Sequence, residues 1–579
     1  MTIAEDGRMA QSGRVNSRSL PLLALGAFLA LAVVLLILPL TLPIGPMYWD
    51  VLVYYDAIGR MNAGQWPILD FMIPAGPLEY YLVWLAERFF GAAHPVVLTQ
   101  LAWLPVTVPV MAAIVWDVGR RNPASAWGLL LPFMLFSLLP FNLLTYNEFA
   151  GTDAYGIYNR HGSHLMYLTA ATVLFVRARA MQTVLLSVLL LSLALCKITA
   201  FVAVGPLLIL GLLTRHIAVP VAAVTAALCL AVTALLEVVT GMVSGYLLVL
   251  ADLVSANESV LISRFLTAIS LRFDVLAAGA LLGGALILND LRRSRDGAAR
   301  AGTDAGRETG LDRDWIWLGL ALLCGLFFET QNTGSHPYLI VWPVLLRILL
   351  REAAAHGRMR LAVLVLVAAM ALPVVSTMLH KAARAAALAP RYVALNQPVL
   401  GPLGRVSAKD VHIEQAERMR TIYLFHPETM RAIAETGSLP SFRMFSEHDY
   451  QYLLLQEMGV AAAAVLDLEA RSGTRFDTVF TVDFANPFPY VLQRPGAAHV
   501  MIGADPSRAV PDPDERTLDA VANTDLILVP KCPVHHARLQ LQDLYTPALE
   551  GRAKVALTPC YDALLKPDSP AAALAEAGQ

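Results

Sequence analysis

Three carboxylates, Asp50, Asp56 and Asp70, stand among aromatics and prolines in the stretch YWDVLVYYDAIGRMNAGQWPILDFMIPAGPLEYYL, residues 48–82. A long apolar segment, Leu20 to Leu42, runs almost up to it. Asp50 therefore sits where a membrane's headgroup layer lies, at the depth of lipid phosphates. A sugar carried on a polyprenyl phosphate holds its anomeric carbon one bond from that phosphate. A carboxylate waiting at this depth can take the proton of an acceptor hydroxyl as the hydroxyl attacks that carbon. The departing phosphate then needs positive charge or hydrogen-bond donors, supplied by Arg, Lys, His or a divalent cation. If residues 48–62 are helical, Asp56 lies about 240° around the axis from Asp50, so the two cannot face one site. Asp56 is then solvated or paired with Arg60 at i+4. Asp70, ahead of Pro74 and Pro77, reads first as a turn residue and second as a substrate contact.

A second polar cluster, NLLTYNEFAGTDAYGIYNRHGSHL, occupies residues 142–165 and holds Glu148, Asp153, Arg160, His161 and His164. The planar fork of Arg160 suits a phosphate, and the alternative is an ordinary solvated loop. His161 is a further candidate for the donor phosphate or sugar. Its spacing to His164 across Gly162 is a weak metal signal, so any metal site stays unassigned. Lys197 stands between two apolar segments, where a lysine either contacts substrate or snorkels to the interface. The loop FETQNTGSHPYL, residues 328–339, adds Glu329, Gln331, Asn332 and His336 as candidates for sugar hydroxyls. Cys532 and Cys560 share the last third of the chain, as a disulfide in an oxidising compartment or as two buried thiols.

The elements that must position these groups follow from composition. With 57% hydrophobic and 15% charged residues among 579, the chain is a polytopic membrane protein. Hydropathy places eleven transmembrane helices near 20–42, 95–118, 125–143, 162–176, 181–196, 198–213, 217–240, 272–289, 315–330, 337–350 and 361–379. Seventeen basic residues then fall on the inner side before residue 380 and five on the outer, Arg60, Arg88, Arg160, Lys197 and Arg264. The run from Met181 to Leu213 is split at Lys197, because one helix of that length would overshoot a hydrocarbon core about 30 Å thick. This layout gives a cytoplasmic tail over 1–19, a membrane domain over 20–380, outer loops over 43–94 and 143–161, and a cytoplasmic linker over 290–314. Pro77 to Phe90 is too short to span and suits the interface, with Tyr80, Tyr81 and Trp84 as its belt. Residues 381–579 form a C-terminal α/β domain on the outer side. Its strands are expected in DTVFTVDF, AAHVMIG and TDLILVP, with a helix in ERTLDAVAN. A net charge of −2 and the lack of basic runs exclude a nucleic-acid partner. No G-x-x-x-x-G-K-[ST] or H-E-x-x-H motif is present.

An Asp just after the first span, the stretch MNAGQWPILDF, and PAGPLEYYLVWLAERFFG running into a span that ends in GRR resemble the first outer loop of GT-C glycosyltransferases. Within that superfamily the chain is similar to the bacterial branch of aminoarabinose transferases, rhizobial galacturonosyltransferases and protein O-mannosyltransferases. The resemblance is good over residues 20–121, looser through the remaining spans, and does not reach the C-terminal domain. It implies a GT-C-like membrane domain in the bacterial inner membrane. The implied reaction is inverting transfer of a sugar from a polyprenyl-phosphate donor, on the periplasmic face, to a hydroxyl of an envelope glycan, lipid or protein. The base role falls on Asp50, and a second acidic position on Glu148 or Asp153. The small polar pair usual after the first span is reduced here to Asp50 followed by Val51. A lipid-linked glycan transporter or flippase, a glycan polymerase and a non-catalytic envelope assembly protein are the alternatives. A transporter would more typically show repeated halves with broken helices.

Overall fold

A computed structural model describes residues 19–143, 150–255, 261–298, 310–331, 336–352, 358–437, 448–506 and 509–577. From the N-terminus, α1 (Leu20–Ile37) leads to α2 (Trp49–Asn62) and α3 (Pro77–Phe90). The bent pair α4 (Pro95–Leu101) and α5 (Leu104–Gly119) is followed by α6 (Pro123–Leu138) and α7 (Ile157–Phe175). Next come α8 (Arg179–Cys196), α9 (Ile198–Leu213), α10 (Val219–Thr240), α11 (Met242–Ser255) and α12 (Leu261–Leu271). The bundle closes with α13 (Phe273–Ala298), α14 (Asp314–Gln331), α15 (Val341–Glu352) and α16 (Arg358–Leu388).

Each apolar segment of the sequence thus coincides with a helix or a bent pair. Among the described residues, five helices are long and apolar enough to cross a membrane singly, and the pair α4–α5, bent by 42°, makes a sixth. Pro105 explains the bend: it has no N–H to offer the carbonyl of Leu101. The others are short, like α9, or polar in their first turns, like α7. The chain is a multi-pass α-helical membrane protein.

Several expected boundaries move. α7 starts at Ile157, so Arg160 and His161 belong to a helix and not to a loop, because Gly156 caps it in the left-handed region at φ 59°. α16 runs on to Leu388, past the expected domain border at 380, and α13 runs into the expected linker as far as Ala298. The break at Lys197 falls where length and charge require it: its backbone is extended, ending α8 and opening α9.

α7 is the central helix and is buried along almost its whole length. α1 lies at the edge and buries Leu25, Phe28, Ala32 and Leu36, three and four residues apart, toward α5 and α6. At one end of the bundle, Arg347 joins Asp314 at 2.8 Å and Asp312 at 2.6 Å, with His216 and Arg351 bound to Asp312 as well. Nearby on the same side, Arg121 donates to the Phe175 carbonyl at 2.7 Å. These are the helix ends that hydropathy assigned to one side; the ends bearing Asp50, Gly156 and Lys197 meet at the other.

Between α1 and α2, β1 (Leu42–Pro43) forms a small sheet in the order β1-β3-β2 with two strands beyond α16, β2 (Val393–Ala394) and β3 (Val406–Ala408). Leu42 pairs with Val406 in parallel, so the end of the first span is stitched to the C-terminal region. The main sheet has the order β4-β5-β7-β6, from β4 (Val479–Thr481), β5 (Leu526–Pro530), β6 (Ala553–Thr558) and β7 (Tyr561–Leu565). β4 and β5 are parallel and the other pairings antiparallel. Strand alternation splits its core: Ile527 packs with Phe480, Val521 and Tyr545 on one face, while Leu526 and Leu528 join the large core on the other. Glu515–Ala522 is helical as its pattern predicts, with Asp514 capping Thr517 N–H at 2.8 Å. AAHVMIG is not a strand. Val500 O accepts from Met72 N–H at 2.9 Å and Met72 O from Ile502 N–H at 3.0 Å, so this apolar run pairs with the segment between α2 and α3 and not with the sheet. Cys532 and Cys560 form a disulfide with Cα atoms 5.0 Å apart.

The C-terminal domain is seated on α2. Arg60, paired with Asp56 at 2.7 Å, donates to the Ala497 carbonyl at 2.6 Å, and the Tyr55 and Tyr490 rings meet edge to face at 4.7 Å. Gly59 lets the Tyr490 backbone approach so closely that a Cβ would collide with it. Asp56 is accordingly paired with Arg60, but buried.

His94 is buried edge-on against the Tyr48 ring, 6.4 Å away. Burial, reinforced by nearby Arg405, pulls its pKa down to about 3. An unfolded histidine titrates near about 6.5. The neutral ring therefore contributes stability that is full above about pH 6.5 and is lost as pH falls toward 3. Melting of the detergent-solubilised protein at pH 7.5 and 4.5 should show a larger acid loss for wild type than for His94→Asn; parallel losses would show that His94 is not the titrating group.

Candidate active site

Helix α2 is buried all round from Trp49 to Met61 with one exception: Asp50 is partly exposed. Its carboxylate lies in the first turn of the helix, where the positive end of the helix dipole favours the anion. Oδ2 accepts the Gly156 N–H at 3.0 Å. The left-handed φ at Gly156 turns that N–H outward from the start of α7, and the Gly156 carbonyl in turn accepts the Arg160 N–H at 3.2 Å. One glycine thus joins the carboxylate of α2 to the turn that carries Arg160.

Arg160 is fully buried. Nη2 donates to the Asp153 carbonyl at 2.8 Å, while Nε and Nη1 have no hydrogen-bond partner among the described residues. A buried guanidinium with two open donors is costly unless an anion meets it. Burial lowers its pKa to about 10, with Asp153 and Asp50 acting the other way, so it stays charged at neutral pH. Lys197 Nζ reaches Asn159 Oδ1 on the same turn of α7 and lies 4.8 Å from the Tyr158 ring centre and 5.4 Å from that of Phe328. Asp50, Arg160 and Lys197 therefore converge on the first turn of α7.

Other candidates go elsewhere. Both ring nitrogens of His161 face acceptors inside the protein, Glu79 Oε1 at 2.7 Å and the Gln100 carbonyl at 3.2 Å, so the side chain has no edge to offer a donor. The Asp153 carboxylate is buried, which pushes its pKa up, and it accepts from Asn142 and the Tyr155 N–H. His336 donates from Nε2 to the Phe141 carbonyl at 2.7 Å; burial, with Arg160 near, holds it neutral at about 3. Asp70 accepts the Trp66 N–H at 2.7 Å, as a turn residue does. Glu148 and the Gln331 side chain lie outside the described residues. Among the described residues, no three His, Cys, Asp or Glu side chains gather to hold a metal ion.

Sequence reasoning passed over Glu79. It is fully buried at the start of α3 and accepts from Tyr54, Trp103, His161 and Cys196. The available signal was one carboxylate in the apolar run GPLEYYL, which hydropathy alone treats as interfacial.

No family model matches the chain, and no curated protein matches it significantly. Among solved structures it is similar to ArnT from Cupriavidus metallidurans in the apo state, with 14% identity, and to the same protein bound to undecaprenyl phosphate, with 16%. Each likeness covers 94% of this chain and 98% of the other, with a TM-score of 0.42.

Proposed function

We propose that the protein is a GT-C-type membrane glycosyltransferase that moves a sugar from a polyprenyl-phosphate donor to an envelope hydroxyl on the periplasmic face. The observation that carries this reading is that Gly156, at the level of the first-span exit, joins a partly exposed carboxylate, Asp50, to the backbone turn of α7 that bears Arg160, a buried guanidinium with two open donors. The acceptor hydroxyl loses its proton to Asp50 as its oxygen bonds to the anomeric carbon. The bond from that carbon to the phosphate oxygen breaks, and its electron pair leaves with polyprenyl phosphate. Arg160 stabilises the departing charge, and Lys197 reaches the same turn of α7 from the break between α8 and α9. A single displacement of this kind inverts the anomeric centre. The sequence resemblance over residues 20–121 points to the same chemistry.

Glycan, lipid and protein acceptors all present such a hydroxyl. The test supplies the purified protein in lipid with a panel of labelled polyprenyl-phosphate sugars and envelope extract. One donor should yield labelled product and free polyprenyl phosphate in equal amounts. A donor that crosses the bilayer intact, with no phosphate freed, would establish the flippase reading instead.

A further inference from the structure

We propose that Glu79 is a positioning residue that sets the mutual placement of Asp50, Arg160 and Lys197; the inference rests on the function proposed above. Its carboxylate is buried and meets four polar side chains from α2, α7, the end of α8 and the bend between α4 and α5. Oε1 accepts from Tyr54 OH at 2.9 Å and bonds His161 Nδ1 at 2.7 Å. Oε2 accepts from Trp103 Nε1 at 2.7 Å and from Cys196 Sγ at 3.4 Å.

Three of these side chains adjoin a charge of the site. Tyr54 lies one turn after Asp50 on α2, on the same face at i+4. His161 follows Arg160 on α7, and Cys196 precedes Lys197 at the end of α8. One carboxylate thus ties together the three elements that bear the site's charges. Its own position is fixed: the Gly76 N–H, at the cap of α3, donates to the Cys196 carbonyl at 2.7 Å, and a Cβ at Gly76 would collide with Leu195. The far side of the His161 ring is fixed by the Gln100 carbonyl, and the Trp103 ring lies 5.7 Å from it. Tyr54, Trp103 and Cys196 arrive as donors on both oxygens, so a neutral amide at position 79 would present an N–H where an acceptor is required.

Glu79→Gln should therefore reach the membrane and lower kcat about a hundredfold, the effect of a displacement near 1 Å, with donor KM within about threefold. Glu79→Asp, which keeps the charge on a shorter arm, should fall between Gln and wild type. In an Asp50→Glu background, where the base is already displaced, Glu79→Gln should cost clearly less than in wild type. Phe133→Leu, in the buried core of α6, supplies the control for a purely structural loss. The proposal is overturned if Glu79→Gln keeps wild-type kcat. It is equally overturned if its loss matches the fall in folded protein, as in the control, or is the same factor in both backgrounds. If Glu79→Gln fails to accumulate, Glu79→Asp and His161→Asn take the same comparisons. An inactive Asp50→Asn beside a fully active Glu79→Gln would sink this inference alone; a fully active Asp50→Asn would sink the base assignment beneath it.

Discussion

Asp50→Asn is expected to lower kcat by about a thousandfold, within the range a positioned general base contributes. The substitution keeps the size of the side chain, and the amide oxygen can still accept the Gly156 N–H, so α2 and the start of α7 should hold their places. What disappears is the group that takes the acceptor's proton. Donor binding should be nearly unchanged, because in the proposed reaction the donor's phosphate meets Arg160 and not a carboxylate. Progress curves with a saturating donor, with folded protein quantified by melting, separate the two effects. An Asn variant with at least a third of wild-type kcat would remove Asp50 from the reaction and leave it as a cap for the turn at Gly156.

Arg160→Gln is the second large effect, and it should move both parameters. The guanidinium is buried with Nε and Nη1 open, so a bound phosphate meets it in the ground state and more strongly as charge develops on the leaving oxygen. Losing it should raise the donor KM and lower kcat together, reducing kcat/KM by about a hundredfold to a thousandfold. Arg160→Lys keeps the charge but loses the planar fork and should recover part of kcat and little of KM. Arg160→Gln also removes a buried charge, so the Gln variant should melt no lower than wild type. Reduced stability with an unaltered KM would make Arg160 a structural partner of Asp153.

The groups that stand at helix ends were legible in the sequence. Asp50 and Lys197 are charges at the borders of apolar runs, and the length of the bilayer fixes where such borders lie. The break at Lys197 followed because a single helix there would be too long. By contrast, the start of α7 depends on a glycine in the left-handed region, and nothing in YGIYNRHG separates a cap from a loop residue. His161 reads as a candidate for the donor phosphate or sugar because its actual partners, Glu79 and the Gln100 carbonyl, lie 82 and 61 residues away. Residues 497–503 have the apolarity of a strand, but their partner is the segment between α2 and α3, which local pattern cannot foresee. The docking of the C-terminal domain on α2 arises the same way, from contacts such as Arg60 to Ala497, 437 residues apart.

The central claim is that an acceptor oxygen attacks the anomeric carbon while polyprenyl phosphate leaves with its bridging oxygen. The most direct measurement uses a donor carrying heavy oxygen at that bridge, with both products analysed by mass spectrometry and the anomer of the new glycoside by NMR. The account predicts that all of the heavy oxygen stays in the released polyprenyl phosphate and that the new linkage is inverted. Heavy oxygen in the sugar product would mean cleavage at phosphorus, and would contradict it.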